Sequence, residues 1–405
     1  MADNNENKVL NVPHLRFPEF SGEWEEHTLS EYLEFKNGLN PDAKRIGSGL
    51  PFISVMDILS EGVINYDNIR GKVNATEKEI ECFGVKDGDL LFQRSSETLE
   101  DVGRANVYMD NRTAIYGGFV IRGRKIGNYD PLFFKYLLAT PLARKRTCRM
   151  GAGAQHFNIG QEGLSKISLY FPSIEEQRKI AEFLSLIDER IATQNKIIED
   201  LKKLKSAIID YAINSLDTDF AKFGSLYETA GEGGTPTTSN ASFYDNGKIP
   251  FVKIDDLKQK YLTENKDFIT ELGLQKSSAW LVPTRSILFS NGATIGEITI
   301  TTYPVCTKQG ILGIVPKSNI DVEFLYYFMS STYFKKAISR IVTEGTMKTA
   351  YLKDIANILC PIPTKEKQQG IAKMPSALNS KIDYEQSLLK LFIMQKQYLL
   401  RQMFI

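Results

Sequence analysis

The chain has 405 residues, of which 42% are hydrophobic and 24% charged, and its formal net charge is +1. This length predicts two or three domains, because a single core of ordinary size does not extend so far. The balanced charge excludes a uniformly basic protein, so any binding of nucleic acid would depend on local clusters of cations. No run approaches the roughly eighteen apolar residues of a membrane span and no apolar signal region precedes the first domain, so a cytoplasmic protein is expected.

Cysteine and histidine are too few and too scattered for a metal site. The four cysteines, Cys82, Cys148, Cys306 and Cys360, form no CxxC pair, and the chain has only three histidines. This usage predicts reduced thiols and no bound metal. No glycine-rich phosphate cradle follows a predicted strand, so no nucleotide site and no catalytic residues are expected in this chain.

In chain order, the first half contains an amphipathic segment at 28–35 and then five further predicted segments. These are strands at 50–58, 85–96 and 116–123, a helix at 130–140 and a glycine-bearing loop at 149–160. The second half repeats the order with strands at 249–257, 282–293 and 308–315, a helix at 321–331 and a loop at 343–352. The chain is therefore predicted to contain two related domains.

A long helix is predicted to follow the first domain. Pro172 and Ser173 stand where an initiating residue and a cap belong, and Glu175 and Glu176 put negative charge into the first turn. Its apolar residues recur at alternating steps of three and four, which indicates a seam that packs on another long helix. The seam residues are Ile180, Leu184, Ile187, Ile191, Ile198, Leu201 and Ile208.

A second copy of this helix lies 191 positions further on and needs no gap. Pro363 falls on Pro172, and Gln368 falls on Gln177. Its seam residues are Ile371, Leu378, Ile382, Leu389, Phe392 and Leu399. Gly370 and Pro375 depart from the first copy, so this helix is expected to kink or to begin only at Ser376. Lys205 and Lys396 lie in the seams either as register markers or as lysines whose charged ends reach water.

These patterns predict a mixed α+β fold. Two similar globular α/β domains, 1–170 and 215–361, would be separated by two long helices, 171–214 and 362–405. We expect these helices to form an antiparallel intramolecular coiled coil with a pseudo-twofold axis. The first seam would run on the order of 48 Å at 1.5 Å per residue. Sites one turn apart on duplex DNA are about 34 Å apart, so the domains could read two separate patches.

Candidate DNA-contacting residues lie in the polar loops and on the basic helices. Residues 135–149 contain five cations and no acid. Polar loops are also common as solvated turns, and basic helix faces as wetted surface, so both interpretations stay open. The candidates for base contacts are Arg94, Ser95, Ser96, Gln155, His156, Asn158, Ser290, Asn291, Thr346, Lys348 and Thr349. The candidates for phosphate contacts are Arg144, Lys145, Arg146, Arg149, Lys335, Lys336 and Arg340.

The duplicated plan resembles a known family, the DNA specificity subunits of type I restriction-modification enzymes. The resemblance spans nearly the whole chain and is carried by residues 171–181, FPSIEEQRKIA, with Leu184, Ile187, Asp188 and Ile191 after them, and by the fainter copy from Pro363. It implies two target recognition domains that each read one half of a split, asymmetric DNA sequence, with the helices acting as a ruler.

The resemblance also implies partners. Subunits of this family recruit two methyltransferase subunits, which bind S-adenosylmethionine and methylate adenine, and the complex can add two motor-nuclease subunits that use ATP and magnesium. The chemistry would then belong to those partners and this chain would carry no cofactor. Two other hypotheses are a scaffold whose helices join two protein-binding domains without DNA contact, and an enzyme that acts alone on DNA.

Overall fold

The computed structural model describes residues 10–292, 294–342 and 348–405. The chain divides into two compact units. Unit 1 comprises Met1–Asn195 and Leu388–Ile405, and unit 2 comprises Lys196–Ser387. Each unit mixes strands and helices, as the predicted fold class requires, and each contains part of both long helices.

Four sheets in the described part of unit 1 position its loops. Its strands are β1 Glu25–Thr28, β2 Leu33–Asn37, β3 Ile46–Ile53, β4 Gly71–Val73, β5 Gly84–Val85, β6 Leu90–Gln93, β7 Ser95–Ser96, β8 Ala105–Val107, β9 Ala114–Tyr116, β10 Val120–Lys125, β11 Phe157–Asn158 and β12 Ser168–Phe171. Its short helices are α1 Leu29–Tyr32, α2 Val55–Ile58, α3 Glu77–Phe83, α4 Pro131–Ala139, α5 Pro141–Arg149 and α6 Gln161–Ser165. The sheets have the orders β2-β10-β6-β8, β4-β3-β9-β5 and β1-β12, and β7 pairs with β11.

Unit 2 repeats this plan after the first long helix, α7 Ile174–Asn214. Its strands are β13 Phe220–Lys222, β14 Tyr227–Glu232, β15 Ile249–Val252, β16 Tyr261–Leu262, β17 Asp267–Ile269, β18 Ile287–Ser290, β19 Ile298–Thr301, β20 Cys306–Thr307, β21 Ile311–Pro316 and β22 Leu359–Pro361. Its helices are α8 Glu271–Gln275, α9 Val322–Ser330, α10 Thr332–Ile341, α11 Leu352–Ile355 and the second long helix α12 Lys365–Gln402. The orders β14-β21-β18-β19-β16, β17-β15-β20 and β13-β22 correspond to the first three sheet orders given for unit 1.

Two predicted strands are shorter than expected because a capped helical turn ends each of them. The segment 50–58 is extended only as far as Ile53, and α2 follows because the Ser54 amide donates to the Asp57 carboxylate at 2.7 Å. After β15 the Lys253 amide donates to the Asp256 carboxylate at 2.8 Å and starts a 3-10 turn. Both caps satisfy an amide that the strand leaves unpaired.

The amphipathic helix pairs of the two units begin at equivalent caps. The Asp130 side chain accepts the first-turn amide of α4, and Asp321, 191 positions later, does the same for α9. Thr140 caps α5, and Ser331, at the same offset, caps α10. The aromatic faces of α4 and α9 are buried in the core of their own unit, so these caps fix the angle at which each helix enters that core.

A buried glutamine ties each long helix to the helix pair of its unit. The Gln177 side chain donates to the Pro172 carbonyl at 3.0 Å and accepts the Asp130 amide at 3.1 Å. Gln368 repeats both bonds, to the Pro363 carbonyl at 2.9 Å and from the Asp321 amide at 2.8 Å. Both side chains are buried, so their polar atoms depend on these partners.

The start of the second long helix differs from the expectation. Helix α12 begins at Lys365, so of the two alternatives, a kink or a start at Ser376, the second is wrong. Pro375 lies inside the helix, where it cannot donate to the carbonyl four residues earlier. The turns before Pro375 are held by Gln368, and this tertiary contact outweighs the local preference to break.

In unit 1 the two long helices run antiparallel. Ile180 and Leu184 of α7 share one hydrophobic core with Leu399 and Met403 of α12. Earlier on α12, Lys396 pairs with Asp188 of α7, and Asp188 also accepts the Tyr136 hydroxyl at 2.9 Å. Lys396 therefore has a specific partner across the seam, as a register marker requires.

In unit 2 the same helices again pack in opposite directions. Ile209 and Ile213 of α7 share a core with Ala372 of α12, and the Lys205 amine donates to the Asn379 side-chain oxygen at 2.9 Å. Burial lowers the pKa of Lys205. Across both units, seven of the predicted seam residues are buried, namely Ile180, Leu184, Ile187, Ile191, Ile198, Ile382 and Leu399. The others are half-buried, namely Leu201, Ile208, Ile371, Leu378, Leu389 and Phe392.

Replacing Gln368 with alanine should destabilise unit 2, because the Asp321 amide and the Pro363 carbonyl would lose their partner. We expect the free energy of unfolding to fall by about 1–3 kcal/mol. Urea unfolding in a Trp24→Phe background measures this, since Trp280 then reports on unit 2 alone. Gln369→Ala, at the exposed neighbouring position, is the matched control, and equal midpoints for the two variants would contradict the assigned role.

Candidate nucleic-acid interface

Three loops meet at one place in unit 1. The Arg94 amide, just after β6, donates to the Phe119 carbonyl at 2.9 Å. The Arg94 carbonyl accepts the Ile159 amide, at the end of the glycine-bearing loop, at 3.0 Å. These two backbone bonds join residues 94–96, 117–119 and 151–158 into one cluster, which we call the three-loop cluster of unit 1.

Unit 2 builds an equivalent three-loop cluster from equivalent backbone bonds. The Asn291 amide, just after β18, donates to the Gly310 carbonyl at 3.0 Å, and the Asn291 carbonyl accepts the Ala350 amide at 2.9 Å. Gly310 and Ala350 lie 191 positions after Phe119 and Ile159. The predicted loops of each unit are thus brought together by the same framework. Thr346 lies outside the described residues.

The unit 1 cluster gathers the predicted polar side chains. Strand β7 pairs with β11, so Ser95 lies opposite Asn158, and the Ser95 hydroxyl bonds the Asn158 side-chain oxygen. Arg94 extends along the neighbouring turn, where its guanidinium donates to the Gly118 carbonyl at 3.4 Å. Gln155 and His156 are exposed at the tip of the loop. These side chains therefore form one polar surface, which also includes the half-buried Ser96.

In unit 2 the corresponding strand-end side chains are not on the surface. Ser290 is fully buried and its hydroxyl accepts the Glu297 amide at 2.8 Å. Asn291 is 1% exposed and its side chain donates to the Ala350 carbonyl at 3.2 Å. In this conformation both residues support the loop backbone and neither can reach a base, which departs from their predicted role. Lys348 and Thr349 remain as the polar groups of this cluster, exposed and half-buried respectively.

Two of the cations on helix α5 bond to other groups of unit 1, and the other two are exposed. The Arg144 guanidinium donates to the carbonyls of Glu100 and Val102 at 2.8 and 2.7 Å, and burial lowers its pKa. Arg146 pairs with the Glu26 carboxylate at 2.7 Å. Both guanidinium groups are thus committed within unit 1 and have less freedom to bind phosphate than predicted.

The other two cations of helix α5 face solvent. Lys145 and Arg149 are exposed, and Arg149 ends α5 two residues before the loop of the three-loop cluster. Lys135 belongs to the same acid-free stretch, but burial lowers its pKa to about 8 and its amine donates to the Glu61 carbonyl at 3.1 Å. Lys145 and Arg149 therefore remain as the cations best placed to meet a polyanion.

Helix α10 carries the three cations that were predicted to contact phosphates in unit 2. Lys335, Lys336 and Arg340 are all exposed. Lys335 lines a cleft of about 350 Å³ together with Lys348, above apolar side chains that include Phe289 and Phe334. The helix and the three-loop cluster of unit 2 thus place two cations at the rim of one cleft, which favours an anionic ligand.

Sequence reasoning missed the exposed apolar residues beside the unit 1 cluster. Phe119 and Met56 are 68% and 72% exposed and line one cleft. Phe119 lies in a predicted strand, where a hydrophobic residue is expected to be buried. The preceding pair Gly117–Gly118 was the available signal, since two glycines indicate a tight turn that can present the next side chain.

The described parts of the chain give no indication of other site classes. Within residues 10–292, 294–342 and 348–405, no group of three or more His, Cys, Asp or Glu side chains could hold a metal ion. Over the same residues, none of the helices combines the length and the apolar character that crossing a bilayer requires. The four cysteines are free thiols, with Cys306 and Cys360 buried and Cys82 and Cys148 half-buried.

Comparison with known families agrees with the duplicated plan. A family model described as type I restriction modification DNA specificity domain matches residues 21–203 and again residues 217–391. The chain therefore belongs to this family, the DNA specificity subunits of type I restriction-modification systems. The family predicted from the sequence is confirmed.

Individual relatives cover either most of the chain or a smaller part of it. The putative type I restriction enzyme MjaX specificity subunit of Methanocaldococcus jannaschii is 24% identical over 401 residues, which cover 93% of this chain and 91% of that protein. The type I restriction enzyme HindI specificity subunit of Haemophilus influenzae is 33% identical over 115 residues, 28% of this chain and 25% of that protein.

Solved structures share the fold. The crystal structure of a type I restriction-modification S subunit from M. genitalium superposes with a TM-score of 0.57 at 17% identity, covering 97% of this chain and 99% of that one. A structure from work on complex assembly and conformational transition of the type I R-M system gives a TM-score of 0.60 at 14% identity, with 93% and 96% covered. At these identities the likeness concerns the fold, and the predicted mixed fold with two tandem domains is confirmed.

Arg144 and Lys145 provide a matched test of which cations are structural. Arg144→Ala should lower the free energy of unfolding of unit 1 by about 1–3 kcal/mol, because two backbone carbonyls lose their donor. Lys145→Ala should leave stability within about 0.5 kcal/mol. It should instead weaken DNA binding at low salt and reduce the salt dependence of binding by about one phosphate contact.

Urea unfolding in a Trp280→Phe background, where Trp24 reports on unit 1, measures the stability of both variants. Fluorescence anisotropy with labelled duplex over a range of salt concentrations measures their binding. A stable Arg144→Ala protein with a reduced salt slope would instead make Arg144 a phosphate contact.

Proposed function

We propose that this chain reads a split, asymmetric duplex sequence, with each unit contacting one part of it. The observation that carries the proposal is the repeated three-loop cluster, in which the same backbone bonds hold different side chains. Arg94 of unit 1 corresponds to Asn291 of unit 2, and Asn158 corresponds to Thr349. Two sites with one framework and different polar groups suit a target whose two parts differ in sequence.

The residue chemistry suits base and phosphate contacts. Arginine can bind guanine through two hydrogen bonds, and asparagine or glutamine can bind adenine in the same way. Arg94, Gln155 and Asn158 supply such groups in unit 1, and Lys348 with Thr349 supplies polar groups in unit 2. The exposed cations would contact phosphates and set the register on the duplex. They are Lys145, Arg149, Lys335, Lys336 and Arg340.

We further propose that the chain is non-catalytic and acts with two methyltransferase subunits, and in a larger complex with two motor-nuclease subunits. S-adenosylmethionine, ATP and magnesium would then belong to those partners. In this role the two domains, 1–170 and 215–361, would read DNA. The two long helices, 171–214 and 362–405, would set the spacing between the domains and bind the partner subunits.

Exposed apolar residues on the long helices support a protein partner. On α7 in unit 2, Ile197, Leu204 and Tyr211 repeat at steps of seven and are 39%, 47% and 77% exposed. Residues seven apart lie on one face of a helix. This stripe differs from the buried seam, so it leaves a second apolar face on which a helix of a methyltransferase subunit can pack.

The function is tested by selecting bound duplexes from a random pool with the complex of this chain and its methyltransferase subunits. A split motif should be recovered. Arg94→Ala should relax recognition in one half only and Lys348→Ala in the other half, each costing about 1–3 kcal/mol if a base contact is lost. The unaffected half serves as the internal control. Recovery of no split motif would refute the proposal, and uniform weakening would make the residue a phosphate contact.

The partner surface is tested by the double variant Leu204→Asp, Tyr211→Asp. Charge on the stripe should weaken assembly with the methyltransferase subunits by at least about tenfold, because two apolar side chains could no longer be buried. Sedimentation or mass photometry measures assembly. The matched control is Lys202→Asp, Ser206→Asp, at two exposed positions of the same helix segment. Equal assembly of both double variants would show that the stripe is not the docking face.

A further inference from the structure

A cleft of about 440 Å³ opens beside the three-loop cluster of unit 1. Its rim carries three exposed apolar side chains, Ile46, Met56 and Phe119, which are 53%, 72% and 68% exposed. Its floor contains further apolar side chains, among them Phe52 and Val120. Large apolar groups clustered at a surface mark a site of interaction more often than chance exposure.

The turn that carries Phe119 is packed tightly against its neighbours. The Gly117 amide donates to the Ile53 carbonyl at 2.9 Å, and the Val120 amide donates back to the Gly117 carbonyl at 2.9 Å. A Cβ atom at Gly118 would lie 1.8 Å from the Asn40 side-chain oxygen, so a larger residue there would require the Asn40 side chain to move. The backbone under the Phe119 ring is therefore fixed before any ligand binds, which limits the entropy lost on binding.

A cation accompanies the exposed ring. The Arg94 backbone amide is bonded to the Phe119 carbonyl at 2.9 Å, and the Arg94 guanidinium donates to the carbonyl of Gly118 at 3.4 Å. A ligand that contacts both residues must offer a polar or anionic group beside an apolar group. The major groove of DNA does so, because thymine presents a 5-methyl group beside the acceptors of neighbouring bases and the phosphates.

We propose that Phe119, at the rim of this cleft, determines specificity by contacting the 5-methyl group of a thymine in the part of the target read by unit 1. This inference rests on the proposed function, since it gives one residue of unit 1 a role within DNA recognition. Unit 2 has Gly310 at the equivalent position, which offers no side chain. Only one part of the target should therefore depend on a thymine methyl group in this way.

The test uses the complex with methyltransferase subunits and the selected target, with each thymine replaced in turn by deoxyuridine, which lacks the methyl group. The part read by unit 1 is identified as the one relaxed by Arg94→Ala. Wild-type affinity should fall about threefold to tenfold at one or two thymines of that part, the scale of one buried methyl group. Phe119→Ala should bind the thymine target more weakly by a similar factor and should be indifferent to deoxyuridine there.

Two further variants control for packing and for general surface effects. Phe119→Leu keeps an apolar side chain and should retain most of the sensitivity to deoxyuridine. Ile126→Ala removes another apolar side chain of unit 1 that is 60% exposed but does not line the cleft, and it should behave as wild type.

Several results would overturn the inference while leaving the proposed function intact. They are a split target with no thymine in the part read by unit 1, wild-type indifference to every deoxyuridine in that part, and equal sensitivity of wild type and Phe119→Ala. Weaker assembly of Phe119→Ala with methyltransferase subunits, with the deoxyuridine pattern unchanged, would make the cleft a protein-docking site. Recovery of no split target at all would overturn both proposals.

Discussion

The buried glutamine at the start of each long helix is the interaction on which the rest of each unit depends. Gln177 and Gln368 each use a donor and an acceptor to join the proline two residues before the long helix to the cap residue of an earlier helix. A buried amide that loses such partners costs about 1–3 kcal/mol. A shift of one residue in either segment would break both bonds, so the spacing between cap and long helix is constrained in both units.

This constraint explains why the two halves of the sequence match so unevenly. From Asp130 through Thr140 and Ile159 to Gln177, each residue has its structural counterpart 191 positions later. These residues lie in the caps, in the cluster framework and at the glutamine bridge. Before Asp130 the offset is less regular, because Phe119 corresponds to Gly310 at 191 positions but Arg94 corresponds to Asn291 at 197.

The sequence predicted the helices better than it predicted the loops. Caps and apolar periodicity are local signals, so Ser173 and the seam residues could be found without knowledge of the fold. The expected start at Ser376 was wrong because a local breaker, Pro375, was weighed without the tertiary contact made by Gln368. Ser290 and Asn291 were proposed as surface groups because polar residues follow a strand there. Only the structure shows that both side chains are buried and bonded to the backbone, Ser290 to the Glu297 amide and Asn291 to the Ala350 carbonyl.

The exposure of Phe119 and the internal bonding of Arg144 were also not predicted from the sequence. A phenylalanine in a strand pattern is normally buried, and an arginine in an acid-free helix normally faces water. The local turn at Gly117–Gly118 presents the ring, whereas a distant segment decides for the guanidinium, which donates to the carbonyls of Glu100 and Val102. Such long-range contacts leave no signature in residue spacing.

The framework of each three-loop cluster is made by main-chain amides and carbonyls, which every residue except proline provides in full. An exposed side chain at such a position, as at Phe119, can therefore be exchanged with little penalty to folding. Asn291 and Gly310 are more constrained, because Asn291 is buried and Gly310 has a φ of 90° that a side chain would strain. A lineage carrying this protein could acquire a new preference one codon at a time, altering what one unit selects while the other keeps its inherited choice. Such changes would cost little folding stability, because they fall on exposed side chains and leave the main-chain framework intact.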